Sequence, residues 1–245
     1  MEILLDKARV KQLIPIELKE VIVEAQDTFT FRCIPERELS WEAGANAHLV
    51  MPEIKTVSSV EKDWRRHMSI MSTPEDGYIG FTTRIREQSS LFKTSMRNCI
   101  PGDRMHIYGI KNNFPLVRTG NPVVLLSMGV GMATMRPLIK SYQRDLKGIS
   151  SLTSLNVDRG SNGVYQEEME SLDLPGFFPH YLDSRRSFLD QVDRSLELKD
   201  AIYYLVGSDE FLGSMAYYLA GSGVPKSMLK IDKKPHKVRA ILDAV

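Results

Sequence analysis

Cysteine is nearly absent from this 245-residue chain: Cys33 and Cys99 are the only two, and they lie far apart. Neither belongs to a CxxC or Cys/His spacing, which argues against a structural zinc or an iron–sulfur cluster and leaves both as small buried apolar filler. An excess of charge is also missing, since 32 Lys and Arg face 31 Asp and Glu. No overall field draws the protein to nucleic acid or to an anionic membrane, so any anion site must be local. Nowhere do about 18 apolar residues run together, and the opening MEILLDKARVKQLIP carries charges through its apolar stretch without a cleavage pattern. The expectation is a cytoplasmic protein without membrane insertion. The five histidines show no ligand spacing, so no metal is assigned. Internal repeats and low-complexity segments are likewise absent.

What is present is enough apolar residue, 42% of the chain, to fill real cores. The pattern changes partway along. From Pro15 to about Val117, short segments alternate apolar with polar (PIELKEVIVEA, TFTFRCI, HMSIM, IGFTTRI, RMHIYGI), cut by turns such as Pro101-Gly102-Asp103. That is the period of half-buried antiparallel strands, with one helix near Ser89–Asn98. A six-stranded closed or nearly closed β-barrel accounts for it. After Gly120-Asn121-Pro122 the run Val123-Val124-Leu125-Leu126 reads as a strand buried on both faces, followed by a helix. Strand and helix then alternate to about Ala220, which implies right-handed crossovers and a parallel α/β sheet. Two domains are expected, 1–119 and 120–245.

Four stretches carry chemistry, and each has a plain structural alternative. Arg66-His67-Met68-Ser69, followed by Ser72 and Pro74, can set a guanidinium on a phosphate and a hydroxyl on the same face beside a planar ring; an exposed strand is the alternative. Gln88-Ser89-Ser90-Leu91-Phe92-Lys93 opens a helix whose free amides suit an anion, although serines there commonly serve only as caps. Gly129-Val130-Gly131-Met132-Ala133 follows the buried strand and lets a nucleotide approach the backbone. It departs from Gly-x-Gly-x-x-Gly/Ala, because Thr134 holds the sixth position. Gly207-Ser208 repeats that geometry after the later strand Tyr203–Val206.

In their order and spacing these stretches resemble the ferredoxin–NADP reductase superfamily, closely its bacterial single-chain flavin reductases, over roughly Pro15 to Asp232. The family's Arg-x-Tyr/Phe-Ser/Thr stretch with Ser-x-Pro is matched by Arg66–Ser69, Ser72 and Pro74. Its Ser-x-Phe-Lys helix before a Pro-Gly-Asp turn is matched by Ser90–Lys93 and Pro101–Asp103. Its nicotinamide-nucleotide loop Gly-Ile-Gly-x-Thr-Pro-x-Arg is matched by Gly129–Arg136, and its late Cys/Ala-Gly-Pro turn by Val206-Gly207-Ser208.

The resemblance implies a flavoprotein oxidoreductase: FAD, or less expectedly FMN, with Arg66 on the phosphates and Ser69, the one catalytic candidate, near flavin N5. Hydride comes from NADPH or NADH, and electrons leave for a separate acceptor such as a ferredoxin, flavodoxin, haem or other metal centre. Nucleotide choice stays open between Asp158, suited to a ribose hydroxyl, and Arg159, suited to a 2′-phosphate. There are departures too. Met68 stands where an aromatic usually lies on the flavin, Ala133-Thr134 replaces Thr-Pro, and Val206 replaces a cysteine. No aromatic follows Tyr218, so either His236 is a smaller planar cover for the flavin face or, as expected, that face is open or lightly covered. These departures motivate a second reading, a flavin- or nucleotide-binding regulatory or assembly protein with little turnover.

Overall fold

The computed structural model describes residues 3–6, 9–51, 64–158, 160 and 163–245. It divides into two compact units, Met1–Pro115 and Leu116–Val245. The division falls a few residues before the break in the sequence pattern, for a local reason. Val117 N donates to the Tyr204 hydroxyl at 2.8 Å, and the Arg118 guanidinium donates to the carbonyls of Ser141, Asp145 and Lys147, so this segment is bonded to the second unit.

In the first unit β1 (Ile3–Asp6) and β2 (Arg9–Gln12) form an antiparallel hairpin. The six strands β3 (Ile14–Ala25), β4 (Thr28–Pro35), β5 (Ala45–Val50), β6 (Arg65–Ser69), β7 (Ile79–Arg84) and β8 (Arg104–Asn112) make one antiparallel sheet. Their order is β6-β5-β8-β3-β4-β7. Period-two patterning turns Ile16, Leu18, Phe31, Cys33, Met105 and Ile107 inward to a common core. The helix α1 (Leu91–Arg97) adds Phe92 and Met96 to it.

The sheet curls because its two edges meet just beyond β6. Met71 N donates to Gly80 O at 2.9 Å, Gly80 N donates to Ser72 Oγ at 2.9 Å, and the Trp41 indole donates to Ser72 O at 2.9 Å. Both cysteines lie in this core, and burial, reinforced by Cys99, pushes the Cys33 thiol up to about 12.

The second unit alternates strand and helix: β9 (Val123–Met128), α2 (Met132–Arg144), β10 (Leu152–Val157), α3 (Gln166–Glu170) and β11 (Phe177–Leu182). It continues with α4 (Arg185–Ser195), β12 (Ile202–Val206), α5 (Asp209–Gly221), β13 (Leu229–Ile231) and α6 (Pro235–Asp243). All five strands run parallel in the order β11-β10-β9-β12-β13. Residues Val123–Ser127 and Ile202–Val206 are buried throughout, as strands covered on both faces must be. The sequence pattern does not anticipate β13 or α6. The strand is three residues long, and the helix hides its apolar stripe of Val238, Ile241 and Leu242 among lysine, arginine and aspartate. Among the described residues no helix is long and apolar enough to cross a membrane.

Candidate functional site

In the first unit the fold gathers positive charge around α1. Arg66, on β6, sets its guanidinium carbon 5.4 Å from the centroid of the Phe92 ring. Lys93, next on α1, donates to Arg84 O at 2.6 Å. Burial lowers the pKa of Lys93, and so do Arg66, Arg86 and Arg84, in that order. Four cations therefore converge where β6, the end of β7 and α1 meet, in a chain whose net charge is only +1. Like charges held this close in a half-buried position fit a polyanionic ligand such as the diphosphate of FAD.

The other candidates on this side divide. Register between β5 and β6 is unbroken, pairing Leu49 with Arg66, His48 with His67, Ala47 with Met68 and Asn46 with Ser69. Arg66 and Met68 thus share the face of buried Leu49 and Ala47, and Met68 packs against the barrel core. His67 and Ser69 belong to the opposite face, because successive side chains alternate. The expectation that Arg66 and the Ser69 hydroxyl share a face is corrected: they are three positions apart on a regular strand. His67 is exposed, 5.2 Å edge-on from His48, which stacks on Tyr108 at 4.7 Å.

Ser72 is fully buried, and its hydroxyl accepts the Gly80 amide, so it latches the barrel edges and offers a ligand no side-chain surface. Ser89 also departs from the capping expected of it, since its hydroxyl donates to Arg86 O. Ser90 holds the N-cap position of α1 without a side-chain cap bond, and Gln88 is exposed just before it.

In the second unit the third and fourth stretches lie side by side. The strand order reverses direction between β9 and β12, and the crevice outside their carboxyl ends is where open parallel sheets bind ligands. Residues Gly129–Gly131 form one tight helical turn leading directly into α2, with Gly129 at φ 54°, a left-handed conformation suited to glycine. A Cβ on Gly131 would stand 3.0 Å from Val206 O, so the missing side chain is used first to seat α2 against the end of β12. Met132 and Ala133 are buried and Val130 half-buried; the first two offer backbone, not side chain. Beneath the turn Asn156 Nδ2 donates to Ser127 Oγ at 2.8 Å and to Gly129 O at 3.2 Å.

Across the crevice the Gly207 backbone lies under the Phe211 ring, and Ser208 Oγ accepts Phe211 N at 3.2 Å as the cap of α5. Asp209 follows on that helix and holds Lys233 at 2.8 Å and Lys237 at 2.9 Å. Hydrogen bonds from these lysines, with their charge, lower its carboxyl pKa to about 2. The stretch bearing His236 is therefore the first turn of α6, where His236 is exposed and two of its lysine neighbours are committed to Asp209. Arg159 lies outside the described residues. Tyr165 is 8% exposed, with the Arg136 guanidinium carbon 5.6 Å from its ring centroid.

The sequence reading passes over Arg84, Arg86 and Lys93 as ligand groups. A local count would have found them, because residues 84–97 hold four basic side chains and one acidic one. Asn156 leaves no such signal, since a polar residue inside a buried strand declares its partners only in three dimensions.

Neither a scan against protein-family models nor a search of curated proteins finds a match to this sequence. Solved structures do match. The cytochrome P450 reductase GcoB of Amycolatopsis superposes with a TM-score of 0.75 at 18% identity, over 92% of this chain and 71% of its own. The flavohem-like FAD/NAD-binding domain of nitric oxide dioxygenase from Vibrio cholerae gives 0.72 at 19% identity, over 89% and 97%. Phthalate dioxygenase reductase, a modular structure for electron transfer from pyridine nucleotides to a [2Fe-2S] centre, gives 0.71 at 16%, over 90% and 67%. This chain has the two-domain fold of FAD- and NAD(P)H-binding reductases of the ferredoxin–NADP reductase type.

Proposed function

We propose that the protein is an FAD-dependent NAD(P)H reductase that delivers electrons to a separate acceptor. The convergence of Arg66, Arg84, Arg86 and Lys93 around α1 carries this reading, because it answers the charge of a flavin diphosphate in an otherwise neutral chain. FAD would supply the hydride-accepting ring and the capacity to pass electrons on singly. The chain's residues bind and orient. Arg66 and Lys93 neutralise phosphate, Gln88 and Ser90 border it, Met68 packs against the barrel core, and Ser69 is the hydroxyl assigned to the reacting edge of the ring. The turn Gly129–Ala133 and the turn Gly207-Ser208 border the nicotinamide-nucleotide crevice. No side chain need act as acid or base, since position and proximity supply the catalysis.

The test is anaerobic mixing of the purified flavoprotein with NADPH and with NADH, alongside mass identification of the flavin released on denaturation. Bleaching within seconds supports the reductase. Tightly held flavin that stays oxidised for minutes with either nucleotide points to a binding or regulatory protein.

A further inference from the structure

We infer that Asn156 is a positioning residue for the diphosphate of the nicotinamide nucleotide, acting by holding the Gly129 carbonyl away from the crevice; this rests on the reductase reading above. Asn156 stands on β10 opposite Ser127 of β9 and is 1% exposed. Its Nδ2 donates to Gly129 O at 3.2 Å and to Ser127 Oγ at 2.8 Å. The side-chain amide can face only this way, because a carbonyl oxygen offers no proton and an Oδ1 in that place would repel it. Oδ1 is then left buried with no hydrogen-bond partner. Such an orphan is destabilising, and an apolar side chain of similar shape would avoid it, as Val123–Leu126 do on the neighbouring strand. Stability of the sheet therefore does not explain an asparagine here; what Nδ2 holds does.

It holds the orientation of one peptide group. Gly129 has no Cβ and sits at φ 54°, so nothing in that residue itself resists rotation of the peptide that follows. The Gly129 carbonyl accepts Met132 N as the turn enters α2, and Asn156 Nδ2 from the buried sheet. Engaged by both, the oxygen points into the fold. A trans peptide carries its carbonyl and its N–H on opposite edges, so the Val130 N–H is directed the other way, toward the crevice. The first amides of a helix have no carbonyl behind them and, with the helix dipole, suit an anion. Rotated by half a turn, the same peptide would set a partly negative oxygen against the phosphates. Asn156 thus decides whether the turn offers the diphosphate a donor or an acceptor, without touching the nucleotide itself.

Calorimetric titration of the flavin-loaded protein with ADP-ribose, or with its 2′-phosphate if NADPH is preferred, tests this, since the probe carries the diphosphate without the nicotinamide. Asn156→Leu keeps the shape and removes every hydrogen bond; Asn156→Ser stays polar but is too short to reach Gly129 O. Both should weaken the probe roughly 10- to 100-fold. Asn156→Leu should nevertheless melt no lower than wild type, because it also removes the orphan oxygen. With ferricyanide as acceptor, KM for the preferred dinucleotide should rise by the same factor with kcat little changed. Valine-selective isotopic labelling for NMR reads the peptide directly. The Val130 amide should respond to ADP-ribose in wild type, and its ligand-free position should already differ in the variants. Unchanged affinity in both variants, a fall in kcat alone, or a Val130 amide that does not respond overturns the inference. Loss of flavin or of folding in both variants also overturns it, by making Asn156 merely structural. If wild type binds ADP-ribose and the variants do not, yet neither NADPH nor NADH bleaches the wild-type flavin, the reductase reading fails while the role of Asn156 stands.

Discussion

Removing Arg66 separates a binding role from a structural one, because the two act with opposite signs here. In the flavin-free protein Arg66→Ala gives up the contact over Phe92, about 0.5–1 kcal/mol at a partly exposed site. It also relieves repulsion with Lys93, for which Arg66 is the leading charged cause of the lowered pKa. Solvent screens that repulsion, and its relief offsets part of the lost contact. Melting of the flavin-free variant should stay within about 5 °C of wild type. With flavin present nothing cancels: a charge-assisted phosphate contact is worth roughly 1.5–3 kcal/mol, or about 10- to 150-fold in affinity. The assay is fluorescence titration of deflavinated protein with FAD, FMN and riboflavin at two salt concentrations. FAD and FMN should weaken by that factor, riboflavin should not, and the loss should shrink at high salt. Unchanged FAD affinity, or a loss shared equally by riboflavin, would refute the phosphate assignment.

Three further outcomes are expected. Ser72→Ala leaves the buried Gly80 amide without its acceptor and should cost about 1–3 kcal/mol in urea unfolding while the bound-flavin spectrum stays the same; a changed spectrum at full stability would instead make Ser72 a flavin contact. Gly131→Ala pushes a methyl against Val206 O and should lower NAD(P)H affinity with normal flavin content, measured by stopped-flow bleaching. The Asp209 carboxyl is lowered to about 2, so the tie to Lys233 and Lys237 is fully present above pH 4 and is lost as pH falls through 2. Protection of the α6 amides, exchange taken relative to its intrinsic rate at each pH, should therefore fall between pH 4 and pH 2, and in Asp209→Asn it should already be low at pH 4; a flat protection profile would mean α6 is held by its apolar stripe alone.

The sequence by itself determined the architecture. Period-two patterning up to Val117 and the continuous run Val123–Leu126 each bury apolar surface in only one kind of sheet, so antiparallel and parallel halves follow from local order. It also located the turns at Gly129–Gly131 and Gly207-Ser208, since glycine and capping residues act over a few positions. Tertiary structure alone decided which side chains remain for a ligand. Ser72 is consumed by Gly80 because the curl of the barrel brings together strands that are separate in sequence. Gly131 is taken up by Val206 because β12 pairs with β9 across some eighty residues of chain. Arg66 and Ser69 face apart because strand alternation holds to the end of β6. Arg66, Arg84, Arg86 and Lys93 become one site only when β6, β7 and α1 meet. Charge acts through space, and no spacing along the chain records that distance.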